Sequence, residues 1–125
     1  IQSQIKRGNE AIQAVAGVPA VIVRLPGGNK NATVLANVNA PMIMWSIDTL
    51  DWKLKNAQTT IDAVLGKVRD GDIVLMHELY SSTGDAAMQI IPALVERGYQ
   101  LVTVSELAQY RGGLESGKLY FNFYQ

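Results

Sequence analysis

Four short apolar runs, at residues 20–23, 42–47, 73–76 and 99–104, are each broken abruptly and are separated by stretches long enough to hold a helix. This alternation constrains the chain more than any other feature. Strands joined through crossover helices run parallel, and connections of this length are too long for hairpins. Residues 2–16 carry apolar positions at helical spacing and are stopped by Gly17 and Pro19. The run Ala20, Val21, Ile22, Val23 is rich in β-branched side chains, as parallel strands buried on both faces require, and Arg24-Leu25-Pro26-Gly27-Gly28 ends it. Further helices are predicted over residues 30–38, 57–68 and 85–97, and another opens at a Ser105 cap. The tail 118–125 alternates weakly. The reading is an α/β fold with parallel strands, in one domain spanning residues 1–125.

At 125 residues the chain is long enough for a modest core but short for a complete α/β barrel. Eleven basic residues balance eleven acidic ones, which leaves no electrostatic footprint for nucleic acid or an anionic membrane surface. No apolar run approaches the roughly 18 residues that span a bilayer. With no cysteine, disulfides, thiolate zinc sites and cysteine nucleophiles are excluded.

In parallel sheets functional groups collect at the carboxyl ends of the strands, so the residues just beyond each run are the candidates. His77, the only histidine, directly follows the run 73–76. An imidazole there suits proton transfer near neutral pH, although a satisfied core histidine is the common alternative. Asp48 and Asp51 follow the run 42–47, where a carboxylate could hold one ring nitrogen, and helix capping or a loop turn is the competing role. Arg24 stands at a strand end, where a guanidinium needs an acidic partner. Trp45 reads as core, whereas Trp52, past the strand end, could wall an apolar pocket for a methyl group or a sugar face. Gly27-Gly28 is too short for a phosphate-binding loop, and Ser46, Ser81 and Ser82 lack a nucleophile-elbow context.

Taken in order, these segments resemble the last three motifs of the family 4 carbohydrate esterases, the polysaccharide deacetylases. Val23-Arg24-Leu25-Pro26-Gly27-Gly28 is similar to the family's Arg-x-Pro motif, and Trp45 through Asp48, Asp51 and Trp52 to its Trp-x-x-Asp-x-x-Asp-Trp strand. Leu75-Met76-His77 matches Leu-x-His. The resemblance implies a distorted (β/α) barrel whose carboxy-terminal portion is this chain. It implies that His77 is the general acid, that Asp51 tunes it and that Arg24 orients the catalytic base. Trp52 and Leu75 would line the groove for the acetyl methyl, with Pro26, Gly27 and Asp48 also facing substrate. Gly27 departs from the family's usual Tyr, keeping a backbone donor but losing an aromatic contact.

The family's metal ligands, an Asp and two His, belong to motifs that precede these segments, and a single histidine cannot supply them. The resemblance therefore implies a divalent metal, zinc first with cobalt, nickel or manganese as alternatives, held on an upstream segment. That segment is expected as a second chain cut from the same polypeptide. The implied activity is removal of acetyl groups from N-acetylglucosamine of peptidoglycan or chitin, or from acetylxylan. Such polymers imply an extracellular or cell-envelope location. Two alternatives stay open: a non-catalytic barrel that binds glycans or scaffolds the envelope, and an open-sheet domain unrelated to sugars.

Overall fold

A computed structural model describes all 125 residues. In chain order its elements are α1 (Gln2–Ala16), β1 (Val23–Arg24), α2 (Ala32–Asn37), β2 (Met42–Ile43), β3 (Ile47–Asp48), α3 (Asp51–Leu54), α4 (Ala57–Leu65), β4 (Val74–Leu75), α5 (Ser81–Glu96), α6 (Val104–Gln109) and β5 (Leu119–Tyr120). They fall into two compact units, Ile1–Met44 with Gly113–Tyr120 and Trp45–Gly112 with Phe121–Gln125. No helix is long and apolar enough to cross a membrane.

In the first unit β1, β2 and β5 form a parallel sheet in that order, with Val23 opposite Met42 and Met42 opposite Leu119. Leu25, Val38, Met42, Ile43 and Met44 are its buried apolar side chains. The helix α1 has the bounds its period predicts, because Gly17 takes a left-handed φ of 77° and returns its N–H to Gln13. No α1 side chain is buried, however. The run 20–23 also differs from expectation: only Val23 enters the ladder, and Val21 is 65% exposed. The partner strand β2 pairs only with Val23 and Arg24, so the ladder starts at Val23 and leaves residues 20–22 outside it.

In the second unit β3 and β4 pair in parallel, Ile47 with Val74 and Asp48 with Leu75. Helices α4 and α5 pack together through Ile61 and Val64 on one and Ala86, Ile90 and Leu94 on the other. The spacings of three and four place these groups on single helix faces. Burying each large side chain stabilises by about 1.5–3 kcal/mol. Val74 and Met76, flanking the core end of β4, pack against the same cluster, so the strand leading to His77 is braced by the helix pair.

Three strand readings need correction. The run 42–47 is not one strand: residues 42–43 belong to one sheet and 47–48 to the other, with the chain passing between units after Met44. The run 99–104 forms no ladder, since Thr103 already caps α6 by a reciprocal capping box with Glu106. The cap is therefore Thr103 rather than Ser105. Finally, the weakly alternating tail supplies β5.

Candidate active site

The strand β3 ends at Asp48, whose carboxylate accepts the amide of Leu50 at 3.0 Å and so closes a turn. Leu50 has φ 52° and ψ 29°, a left-handed conformation that is costly for a branched side chain. This reverses the chain, starts α3 and puts Asp51 at its first position. Thr49, 2% exposed, donates its hydroxyl to the Leu75 carbonyl at 2.8 Å and ties the turn to β4.

Asp51 is consequently 1% exposed, yet it is not an isolated buried charge. Its Oδ1 accepts the Trp52 amide at 2.9 Å and lies 2.8 Å from Nδ1 of His77. Its Oδ2 accepts the His77 amide at 2.6 Å and the Thr83 hydroxyl at 2.8 Å. Burial on its own would raise the Asp51 pKa. The bonds from the His77 ring, the His77 amide and the Thr83 hydroxyl outweigh it and hold the carboxyl below its ordinary value. An ionised Asp51 can only accept, so Nδ1 of His77 carries the proton and Nε2 is the nitrogen left for exchange.

The His77 side chain keeps 28% of its surface exposed. Its ring meets Tyr80 edge-on, centroids 6.3 Å apart, and the Lys55 ammonium stands 5.4 Å from the centroid of that Tyr80. Trp52, 47% exposed, follows Asp51 on α3, and Leu75 is buried two residues before His77. The site is thus a buried, saturated carboxylate behind a partly open imidazole, beside an exposed indole. That arrangement can hold a proton on one ring nitrogen and give or take one at the other.

Sequence comparison with family models finds no match. Individual proteins do match. The chain is 35% identical over 108 residues to the peptidoglycan-N-acetylmuramic acid deacetylase of Bacillus subtilis, which covers 86% of this chain and 23% of that protein. It is 35% identical over 122 residues to the peptidoglycan-N-acetylglucosamine deacetylase of Listeria monocytogenes, covering 98% of this chain and 26% of that protein. Among solved structures, a family 4 acetyl xylan esterase from Clostridium thermocellum in complex with a cobalt ion superposes with a TM-score of 0.87 at 30% identity, over 99% of this chain and 63% of that one. The chain belongs to the family 4 polysaccharide deacetylases. It spans about a quarter of the length of these two curated relatives.

Against that family the candidate residues distribute as follows. Asp51 and His77 are in direct contact, Trp52 follows Asp51 on α3, and Leu75 ends β4 two residues before His77. Asp48 holds the turn that delivers Asp51. Arg24, Pro26 and Gly27 lie in the first unit, at the carboxyl end of β1, where Leu25 is buried and Pro26–Gly28 form a tight turn. Gly27 and Gly28 have φ of 61° and 69°, a conformation glycine takes without steric cost, and a Tyr at Gly27 would be strained. Sequence reasoning missed Thr83, which precedes the helix predicted over residues 85–97 but lies in the first turn of α5, and it missed the hydrogen bonds that the His77 and Trp52 amides donate to Asp51.

These residues do not fit the divalent metal that the family resemblance implies. The one imidazole has its Nδ1 committed to Asp51, and nowhere do three or more His, Asp or Glu side chains gather around a common point. The chain's own donor set does not fit a metal centre.

Proposed function

We propose that this chain supplies the proton donor and part of the substrate groove of a carbohydrate deacetylase, a hydrolase that splits an acetyl group from a polysaccharide. The observation that carries the reading is the Asp51–His77 contact, a buried ionised carboxylate 2.8 Å from Nδ1 of a partly exposed imidazole. Asp51 keeps Nδ1 protonated and stabilises the imidazolium. Protonated His77 delivers its Nε2 proton to the departing amine or alcohol as water displaces it from the acetyl carbon, releasing acetate. A group so placed contributes about 10²- to 10⁴-fold.

Trp52 walls the groove against the acetyl methyl or a sugar face, with Leu75 behind it, and Arg24 orients the carboxylate that acts as base. Substrate contacts extend to Pro26, Gly27 and Asp48. A divalent metal, zinc before cobalt, nickel or manganese, would polarise the acetyl carbonyl, and its ligands would belong to an upstream segment of the same polypeptide rather than to this chain. The substrate is N-acetylglucosamine of peptidoglycan or chitin ahead of acetylxylan, which puts the protein in the cell envelope or outside the cell.

Replacing His77→Ala in the deacetylase that contains this chain is the test. Acetate release should fall by roughly 100-fold or more while bound metal stays constant. Loss of the metal instead would make His77 a ligand and overturn its role. No acetate release from the unaltered protein, with glycan still bound, would favour the non-catalytic reading.

A further inference from the structure

We propose that Asp72, together with Ser46 and Tyr124, is a positioning cluster that sets the register of β3 against β4 and thereby decides where Asp51 and His77 meet. Ser46 and Asp72 lie just before β3 and β4, and Tyr124 follows β5. Ser46 stands five residues before Asp51, and Asp72 five residues before His77. The Ser46 hydroxyl donates to Asp72 Oδ1 at 2.8 Å and accepts the Ile73 amide at 3.0 Å, while the Ser46 amide donates to the Ile73 carbonyl at 2.9 Å. One serine therefore clamps β3 to the start of β4 through three bonds.

Asp72 is itself held from two further directions. The Arg69 amide donates to its Oδ2 at 2.7 Å, and the Tyr124 hydroxyl donates to its Oδ1. The Arg69 guanidinium lies over the Tyr124 ring, 3.5 Å from the centroid. Phe123, buried, donates its amide to Gly71 at 2.8 Å. A side chain at Gly71 would place its Cβ 2.6 Å from the Phe123 carbonyl oxygen, so this close approach requires glycine. The last residues of the chain are thus fastened to the turn that launches β4.

Geometry gives the fastening its consequence. A slip of one residue displaces a strand by about 3.3 Å and reverses which face its side chains occupy. The bonds from the His77 ring and amide to Asp51 tolerate only a few tenths of an ångström before they weaken. Their catalytic consequence rests on the reading of His77 as proton donor, but the positioning does not.

His77 is the only histidine of this chain, so within these 125 residues its imidazole signals in nitrogen-correlated NMR need no assignment among rivals. Solvent exchange of the Nδ1 proton is to be measured in the full chain and in Ser46→Ala, Asp72→Asn and Tyr124→Phe. Tyr99→Phe is the control, since it removes a tyrosine hydroxyl bond to the Val68 carbonyl elsewhere in the same unit. Exchange should quicken about fivefold in the three cluster variants, the effect of losing one side-chain hydrogen bond. Ser46→Thr, which keeps the hydroxyl, should restore the slow rate, and Tyr99→Phe should leave it unchanged. Tyr124→Phe keeps the ring over Arg69 and decides the matter if Asp72→Asn does not fold. Equal exchange in Tyr124→Phe and the unaltered protein, or equal acceleration in Tyr99→Phe, overturns the proposal. Acetate release enters neither readout, so the deacetylase reading can fail separately.

Discussion

Nδ1 of His77 lies 2.8 Å from Oδ1 of Asp51, while Oδ2 of the same carboxylate accepts the amide of His77 at 2.6 Å, so one buried group holds both the ring and the backbone that carries it. Substituting Asp51→Asn leaves an oxygen for one pair of these donors and turns an NH2 toward the other. Unsatisfied buried donors cost about 1–3 kcal/mol, and the ring loses the charge that keeps Nδ1 protonated. Urea unfolding should show a loss in that range, and deacetylation by the protein containing this chain should drop by roughly 100-fold. Retained activity with lowered stability would confine Asp51 to a structural role.

Thr83→Val should isolate the support that Asp51 receives from its own contact with His77. The change keeps shape and removes only the hydroxyl that donates to Asp51 Oδ2 at 2.8 Å. A hydrogen bond to an ionised acceptor contributes about 1.5–3 kcal/mol, so the unfolding midpoint should fall accordingly, and Thr83→Ser should recover most of the loss. With that donor gone, the Asp51 pKa should move upward, which carboxyl-carbon NMR titration would register. An unshifted Asp51 titration would mean that the hydroxyl does not stabilise the ionised form.

How far the site could be read from sequence depends on how local its signals are. The helix α1 was legible because its period and the Gly17 stop are contained in the same few residues. The exit of His77 from an apolar run was legible for the same reason. The division of residues 42–47 between two sheets was not, because a continuous apolar run looks alike whether it pairs with one partner or changes partners midway. Residues 99–104 are apolar enough for a strand, but the backbone partner that would make them one is not a property of the segment itself. Asp48 and Asp51 presented the same residue type three positions apart, and only the left-handed Leu50 between them decides which closes the turn and which turns inward. Thr83 meets its acceptor 32 residues away, and Tyr124 meets Asp72 across 52. Such pairings follow from topology, and no short pattern announces them.

The turn that delivers Asp51 is paid for in backbone strain. Leu50 at φ 52° and Lys55 at φ 47° bracket α3, and both lie where non-glycine residues are disfavoured. Left-handed backbone costs about 1–2 kcal/mol for an ordinary side chain and less for asparagine. Leu50→Asn, at a position 38% exposed, should therefore raise the unfolding free energy by about 0.5–1 kcal/mol. Calorimetry provides the measurement. A fall in stability would mean that the Leu50 side chain contributes packing that outweighs its strain.

Acid should loosen the second unit through the two aspartates whose bonds organise it. Burial opposes ionisation of Asp51, but the His77 and Thr83 bonds prevail. Burial also opposes ionisation of Asp72, and there the Tyr124 hydroxyl, the Arg69 amide and the Ser46 hydroxyl prevail. Both carboxyls are thus more acidic in the folded chain than the ordinary 3.8. A group whose folded pKa is depressed binds protons more readily when unfolded, so its contribution is complete above the unfolded value and disappears as pH falls through the folded one. Stability measured by urea titration should therefore hold near neutrality and decline once the pH drops below about 4. In Asp72→Asn the decline should be shallower, since one of the two linked protonations is gone. An equally steep decline in that variant would show that Asp72 titrates alike in both states and that its bonds contribute nothing specific to the ionised form.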